Sequence, residues 1–257
     1  MLDEIIFDPQ SERLDDINEH LKIIQRKNGL TFGTDAYILS AFAKSSPRGK
    51  AADFGCGTGV ISLLTVQRGK YSHVFAFEVQ DEFARLAERN ATLNGLEEKL
   101  TVKNRDVREI SQADTAGEVD VVMMNPPYMK NDSGKTNAHE EMNIARREVL
   151  GDIYDFCSAA GRILKSGGGL FVVHRPERLI DLTDAMRRAS IEPKKIVFVH
   201  PDTSKEPSLV LVEGKKGASS SLTVTRPLFV YKDGTREYSE DMQRIYDEFS
   251  MKHITER

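Results

Sequence analysis

The sequence predicts an α/β domain built on a doubly wound, mostly parallel sheet of seven strands with one antiparallel strand at its edge. Three observations carry that expectation. Between Ala51 and Val199, short apolar runs alternate with apolar residues at helical spacing, the pattern of a parallel sheet covered on both faces. A glycine loop, Asp53-Phe54-Gly55-Cys56-Gly57-Thr58-Gly59, joins the first run to a helix. After Lys195, two apolar runs follow one another with only a Pro-containing loop between them. Strands joined without a helix pair antiparallel or lie in separate places, so a reversed strand is expected at the sheet edge.

Residues 1–30 are mixed and charged and read as an N-terminal extension, with one short strand candidate at Leu21–Ile24; residues 31–250 read as a single domain. Thr34 or Asp35 caps a helix whose apolar face is Tyr37, Ile38, Ala41 and Phe42, and Pro47 follows its end. Strands are expected at Ala51–Phe54, His73–Glu78, Leu100–Asn104, Val119–Met124, Gly169–His174, Lys195–His200 and Ser208–Glu213. Helices are expected at Val60–Arg68, Asp81–Asn94, Glu148–Leu164 and Arg175–Ala189, with Asn94-Gly95 as a stop signal. Gly214–Ser221 reads as a basic, Ser-rich connector, and Ser239–Phe249 as a last amphipathic helix.

Composition narrows the function classes. Forty acids against 36 bases leave a formal charge of −4, so no global field draws in polyanions and a nucleic acid has to meet local basic patches. Two unrelated cysteines fit a reducing compartment. The start Met1–Phe7 lacks a cationic segment and no apolar run reaches bilayer length, which points to a cytoplasmic chain without membrane contact; the oligomeric state is open, with a monomer favoured. No metal site is expected: His139-Glu140-Glu141 has Asn143 where a second histidine is needed. Gly134-Lys135-Thr136 lacks the first glycine of a P-loop, Met129 standing there instead. The basic pairs Arg146-Arg147, Arg187-Arg188, Lys194-Lys195 and Lys215-Lys216 are candidates for phosphate contact or simply solvated faces.

The chemistry concentrates at strand ends. Gly55, Gly57 and Gly59 let the chain turn sharply and leave room for a ligand at a helix N-terminus. The third glycine comes one residue earlier than in the dinucleotide fingerprint, which favours a methionine-bearing nucleoside over a pyrophosphate without excluding other nucleotides. Glu78 closes the second strand, where a carboxylate can accept both ribose hydroxyl hydrogens, and Asp106 follows the third. Each acid alone reads as ordinary surface, but Asp53, Glu78 and Asp106 together repeat the strand-end placement of ligand groups in open parallel sheets.

After the fourth strand stands Asn125-Pro126-Pro127-Tyr128. It combines an amide side chain, a free carbonyl and an aromatic face in a rigid turn, and so can hold a planar group bearing an NH2. An exocyclic amine is a poor nucleophile because its lone pair is delocalised. Hydrogen bonds to the Asn125 oxygen and the Pro126 carbonyl pull the nitrogen toward tetrahedral geometry, while Tyr128 stacks on the ring, a contact worth about 1–3 kcal/mol per base. Alignment rather than a general base carries the rate. Met129–Ala138 reads as a lid over this turn or as a solvated loop.

The glycine loop and this turn together resemble the class I S-adenosylmethionine-dependent methyltransferases, Rossmann-like enzymes, that act on amino nitrogens. Gly29–Ala36, Asn143–Glu148, Val173–Leu179, His200-Pro201 and Leu209–Gly214 extend the likeness, which spans most of the chain, to the bacterial valine-tRNA adenine-37 N6-methyltransferase family. That resemblance implies S-adenosylmethionine as cofactor, tRNA as partner and adenine N6 in the anticodon loop as acceptor. It also implies that Phe32, Thr34 and Asp35 close the cofactor pocket. Asp53, Gly55, Cys56, Gly57, Gly59 and Glu78 then hold its methionine and ribose ends, Asp106 its adenine, and Asn125, Pro126 and Tyr128 the target base, with Asn125 also facing the cofactor.

Three other readings share features of the sequence. Protein-glutamine N5-methyltransferases use the same turn but carry a longer N-terminal helical domain, and guanine N2 methylation of ribosomal RNA more often has Phe as the aromatic. A non-catalytic RNA-binding module has no need of the acids and the acceptor turn.

Overall fold

A computed structural model of the protein describes residues 7–27, 33–126 and 151–256. The central sheet is built from β3 (Ser46–Phe54), β4 (Tyr71–Glu78), β5 (Leu100–Asn104), β6 (Val119–Met124), β7 (Leu164–His174), β8 (Ile191–His200) and β9 (Leu209–Lys216), after an N-terminal hairpin of β1 (Glu12–Asn18) and β2 (Leu21–Arg26). Two short strands, β10 (Thr223–Val224) and β11 (Leu228–Phe229), both pair with β8. The strand order is β10-β8-β9-β7-β6-β3-β4-β5. From β3 the chain winds outward through β4 to β5, then returns to β6 and winds the other way, so the order reverses between β3 and β6.

The helices are α1 (Thr34–Phe42), α2 (Val60–Gln67), α3 (Asp81–Leu93), α4 (Ile153–Ile163), α5 (Leu179–Arg188), α6 (Glu240–Glu248) and α7 (Lys252–Thr255). Alternation along each strand divides the core in two. Val121 and Met123 of β6 face the cluster formed with α1, α2 and the C-terminal helices, whereas Val122 and Met124 face the cluster formed with α4 and α5. Local chemistry fixes the helix ends. Asp152 accepts from the backbone N–H groups of Tyr154 and Asp155, and Asp155 accepts in return from that of Asp152, a reciprocal cap on α4. At the C-terminus of α1, Lys70 donates from Nζ to the carbonyls of Ser40, Ala41 and Ala43, satisfying acceptors that the helix itself leaves open.

The hairpin docks on α3 through asparagines. Asn90 accepts from Ile24 N at 2.7 Å and donates to Ile24 O at 3.1 Å, and Asn94 does the same to Lys22 at 3.0 and 2.8 Å. Side chains four apart on a helix are about 5–6 Å from one another, close to a strand's two-residue repeat of about 6.5 Å. The two amides therefore imitate a neighbouring strand along β2. Arg89 adds a two-pronged ion pair to Glu12 of β1 at 2.7 and 2.9 Å.

All seven predicted strands are present and the α/β class holds, but the reversed strand is not at the edge. β9 pairs antiparallel with both β7 and β8. The crossover from β7 through α5 leaves a gap one strand wide, and the return of the chain fills it; Val210, Leu211 and Val212 are fully buried as a result. Among the described residues the sheet has nine strands because β10 and β11 cover the outer edge of β8. Gly33, not Thr34 or Asp35, is the N-cap of α1. The segment expected as one helix from Arg175 begins with a 3-10 turn at Pro176–Arg178 before α5. No helix among the described residues is long and apolar enough to cross a membrane.

Candidate active site

Strand register brings the chemistry to one level. Phe54 pairs with both Phe77 and Met124, and Glu78 pairs with Asn104. Gly55, Glu78 and Asn125 thus emerge side by side from adjacent strands spaced about 4.8 Å apart. They do so where the strand order reverses, the place at which open α/β sheets bind ligands.

The glycine loop is tied to its neighbour by Gly55 N and Cys56 N, which donate to Phe77 O at 2.9 and 3.0 Å. Gly55, Gly57 and Gly59 all have positive φ, at 68°, 55° and 86°, a region that side chains disfavour. A Cβ on Gly59 lies 3.2 Å from that of Ala87, whereas one on Gly57 meets nothing within 4 Å. Gly59 opens α2 with no side-chain cap, so first-turn N–H groups stay available to a ligand. Asp53 is fully buried beneath the loop. Its Oδ2 accepts from Ser62 Oγ at 2.7 Å, and its Oδ1 has no partner among the described residues. Burial pushes its carboxyl up to about 7, against the Ser62 hydrogen bonds and with help from the charge of Glu78. Burial likewise raises the Cys56 thiol, so Cys56 belongs to the loop as a small wall residue, not a nucleophile.

Glu78 joins loop to strand. Its Oε2 accepts from Gly57 N at 3.0 Å and its Oε1 from Gln80 N at 2.9 Å. Gln80 Nε2 also reaches Oε1, at 3.5 Å, and the carboxylate keeps acceptor capacity beyond these bonds. Asn104 pins the same strand end by donating to the carbonyls of Glu78 and Val79, both at 2.9 Å. Asp106 stands on the same rim after β5, but its carboxylate is turned to Arg108. It accepts from the backbone N and from Nε and Nη2, and this guanidinium holds its carboxyl below the ordinary range.

Across the switch point, Asn125 is half-buried and Pro126 buried. Asn125 Nδ2 donates to Asp35 Oδ2 at 3.0 Å, which links the acceptor turn to the first turn of α1, where Thr34 also stands. Phe32, Tyr128, the Met129–Ala138 segment and Arg146-Arg147 lie outside the described residues. The other basic pairs are engaged locally: Arg187 with Glu192, Arg188 with Asp184, Lys194 with Ser221, Lys195 with Glu213, and Lys216 with Leu164 O. Among the described residues no group of three or more His, Cys, Asp and Glu is arranged to hold a metal ion. Reading by motif missed Ser62, Asn90 and Asn104. Asn90, at 0% exposure, also donates to Thr58 O at 3.0 Å and so braces the glycine loop from α3; its signal was a pair of asparagines four residues apart on a helix.

The methyltransferase small domain profile matches residues 26–189, well over half of the chain, including both the glycine loop and Asn125. The chain belongs to the methyltransferase small domain family. This methyltransferase is 26% identical over 235 residues to a tRNA1(Val) (adenine(37)-N6)-methyltransferase of Shewanella sediminis, covering 88% of this chain and 94% of the relative. It is 25% identical over 225 residues to one of the same name from Porphyromonas gingivalis, covering 84% and 87%. Among solved structures, a predicted O-methyltransferase from Agrobacterium tumefaciens superposes with a TM-score of 0.68 at 22% identity, covering 84% of this chain and 97% of the other; the likeness is one of fold. The expected resemblance to the valine-tRNA methyltransferases and the class I fold are both borne out.

Methyltransferases of this class take their methyl group from S-adenosylmethionine, and the residues present fit that cofactor. The buried, unpartnered oxygen of Asp53, the open space over Gly57, the uncapped start of α2 and the remaining acceptor positions of Glu78 offer an acid, backbone donors and a hydroxyl acceptor around one loop.

Proposed function

We propose that this methyltransferase transfers a methyl group to the exocyclic N6 of adenine 37 in the anticodon loop of a tRNA. The observation that carries the amino-nitrogen part is the bond from Asn125 Nδ2 to Asp35 Oδ2. It turns the donor end of the Asn125 amide to Asp35, and the oxygen is the end whose chemistry accepts from an N–H. The names of the relatives that align over most of the chain support adenine and tRNA.

S-adenosylmethionine supplies an electrophilic methyl carbon on a sulfonium. Glu78 and the loop from Asp53 to Gly59 hold its ribose and methionine ends. Asn125 Oδ1 and the Pro126 carbonyl would accept the two hydrogens of the amine and expose its lone pair, and the motif assigns Tyr128 the stacking role. When bound, the sulfonium would give up its methyl carbon and keep the bonding pair on sulfur, and the methylated nitrogen would lose one proton to water. The Asn125 amide is too weak a base to take that proton, so alignment does the work.

The test is incubation with methyl-labelled cofactor and, separately, total tRNA, ribosomal RNA and protein extract, followed by analysis of the labelled component. Label in N6-methyladenosine from tRNA is expected. Label in N2-methylguanosine, in methylglutamine or on an oxygen overturns the assignment.

A further inference from the structure

We propose that Asp35 is a positioning residue that orients the Asn125 amide for the acceptor amine, a role distinct from the cofactor-pocket wall implied by resemblance. The inference deepens the reading above and rests on it. Asp35 has little freedom of its own. Its Oδ1 accepts from Ala36 N at 2.9 Å, and its helix is anchored by the fully buried Ile38 and Leu39 at its middle and by Lys70 at its C-terminus. A Cβ on Gly33 would lie 2.9 Å from Asp35 Oδ1, so glycine at that position leaves room for this placement of the carboxylate.

An ionised carboxylate only accepts, and of the two amide ends only the nitrogen donates. The bond at 3.0 Å from Asn125 Nδ2 to Asp35 Oδ2 therefore selects one of the two amide orientations, and the reversed amide would set its oxygen against the carboxylate. This orientation sets Oδ1 on the edge of the amide away from the carboxylate. The carboxylate also polarises the amide and strengthens that oxygen as an acceptor. Two segments 90 residues apart are joined in this way, which makes the first turn of α1 part of the substrate-side machinery.

The test compares Asp35→Ala, Asp35→Asn, Asn125→Ala and the Asp35→Ala/Asn125→Ala double variant, reading kcat, KM for tRNA and the cofactor Kd, with thermal melting to confirm folding. Asp35→Ala should lower kcat about tenfold to a hundredfold and leave the cofactor Kd within about twofold. Asp35→Asn should recover most of the rate, because the introduced amide oxygen can still accept from Asn125. In the Asn125→Ala background, removing Asp35 should cost nothing further. If Asp35→Ala does not fold, Asp35→Ser reads the same kcat. Normal kcat without Asp35, with Asn125→Ala inactive, overturns this inference alone, as does a weakened cofactor Kd with unchanged kcat. Normal rates for Asn125→Ala overturn the underlying reading instead.

Discussion

Gly57 donates its backbone N–H to Glu78 Oε2 at 3.0 Å, so the apex of the glycine loop and the end of β4 form one hydrogen-bonded unit. On the proposed reading, replacing Glu78 by Ala removes the acceptor for the ribose hydroxyls, and it leaves the Gly57 and Gln80 N–H groups without this partner. A ligand hydroxyl left unpaired on binding costs about 1–3 kcal/mol, and about 1.4 kcal/mol is tenfold in affinity. Calorimetric titration with S-adenosylmethionine should give a Kd at least about tenfold weaker for Glu78→Ala; unchanged affinity would remove Glu78 from the site.

Asp53 gives the unliganded protein a defined pH dependence. Its folded-state carboxyl titrates at about 7, above its ordinary 3.8. Between those values the folded chain binds more protons than the unfolded chain, so stability falls as pH rises through that window. Asp53→Asn keeps an acceptor for Ser62 and abolishes the titration. Urea melts at pH 5, 6, 7 and 8 should show the variant gaining on the parent up to about pH 7 and then levelling off. A difference independent of pH contradicts the buried-acid account.

Asn90→Ala strips partners from Ile24 N, Ile24 O and Thr58 O in the buried interior. The expected loss is about 3 kcal/mol, against about 1 kcal/mol for Asn94→Ala, whose bonds to Lys22 are exposed and can be replaced by water. Denaturant midpoints of the two variants settle the ranking, and equal losses would show that Asn90 does not brace the loop.

A tRNA substrate implies phosphate contacts, and these release counterions. The logarithm of the association constant should fall linearly with the logarithm of salt concentration, measured by fluorescence anisotropy with labelled tRNA. A flat response favours a protein or small-molecule acceptor.

Much of this architecture was legible in the sequence because it follows from local rules. The apolar run Val119–Met124 is buried on both faces apart from Asp120, and Asn94-Gly95 ends α3 with Gly95 at a φ of 63°. β1 was not legible: its sequence, Glu-Arg-Leu-Asp-Asp-Ile-Asn, is mostly charged, and it forms through pairing with β2 and through the Glu12–Arg89 ion pair. The inner position of β9 depends on the handed crossover between β7 and β8, a property of the assembled sheet. In the site, Glu78 and the glycine loop followed from their place after strands. The engagement of Asp106 by Arg108, and of Asn125 by Asp35, depends on side-chain directions that spacing does not encode.

The central claim is that Asn125 presents a substrate amine to a methyl donor held one strand away. Single-turnover methyl transfer to tRNA by Asn125→Ala, at saturating S-adenosylmethionine, tests it most directly. The account predicts a rate at least about a hundredfold below the parent, the loss expected when a reacting group is misaligned by about 1 Å, with cofactor affinity preserved; a rate within about twofold of the parent would contradict it.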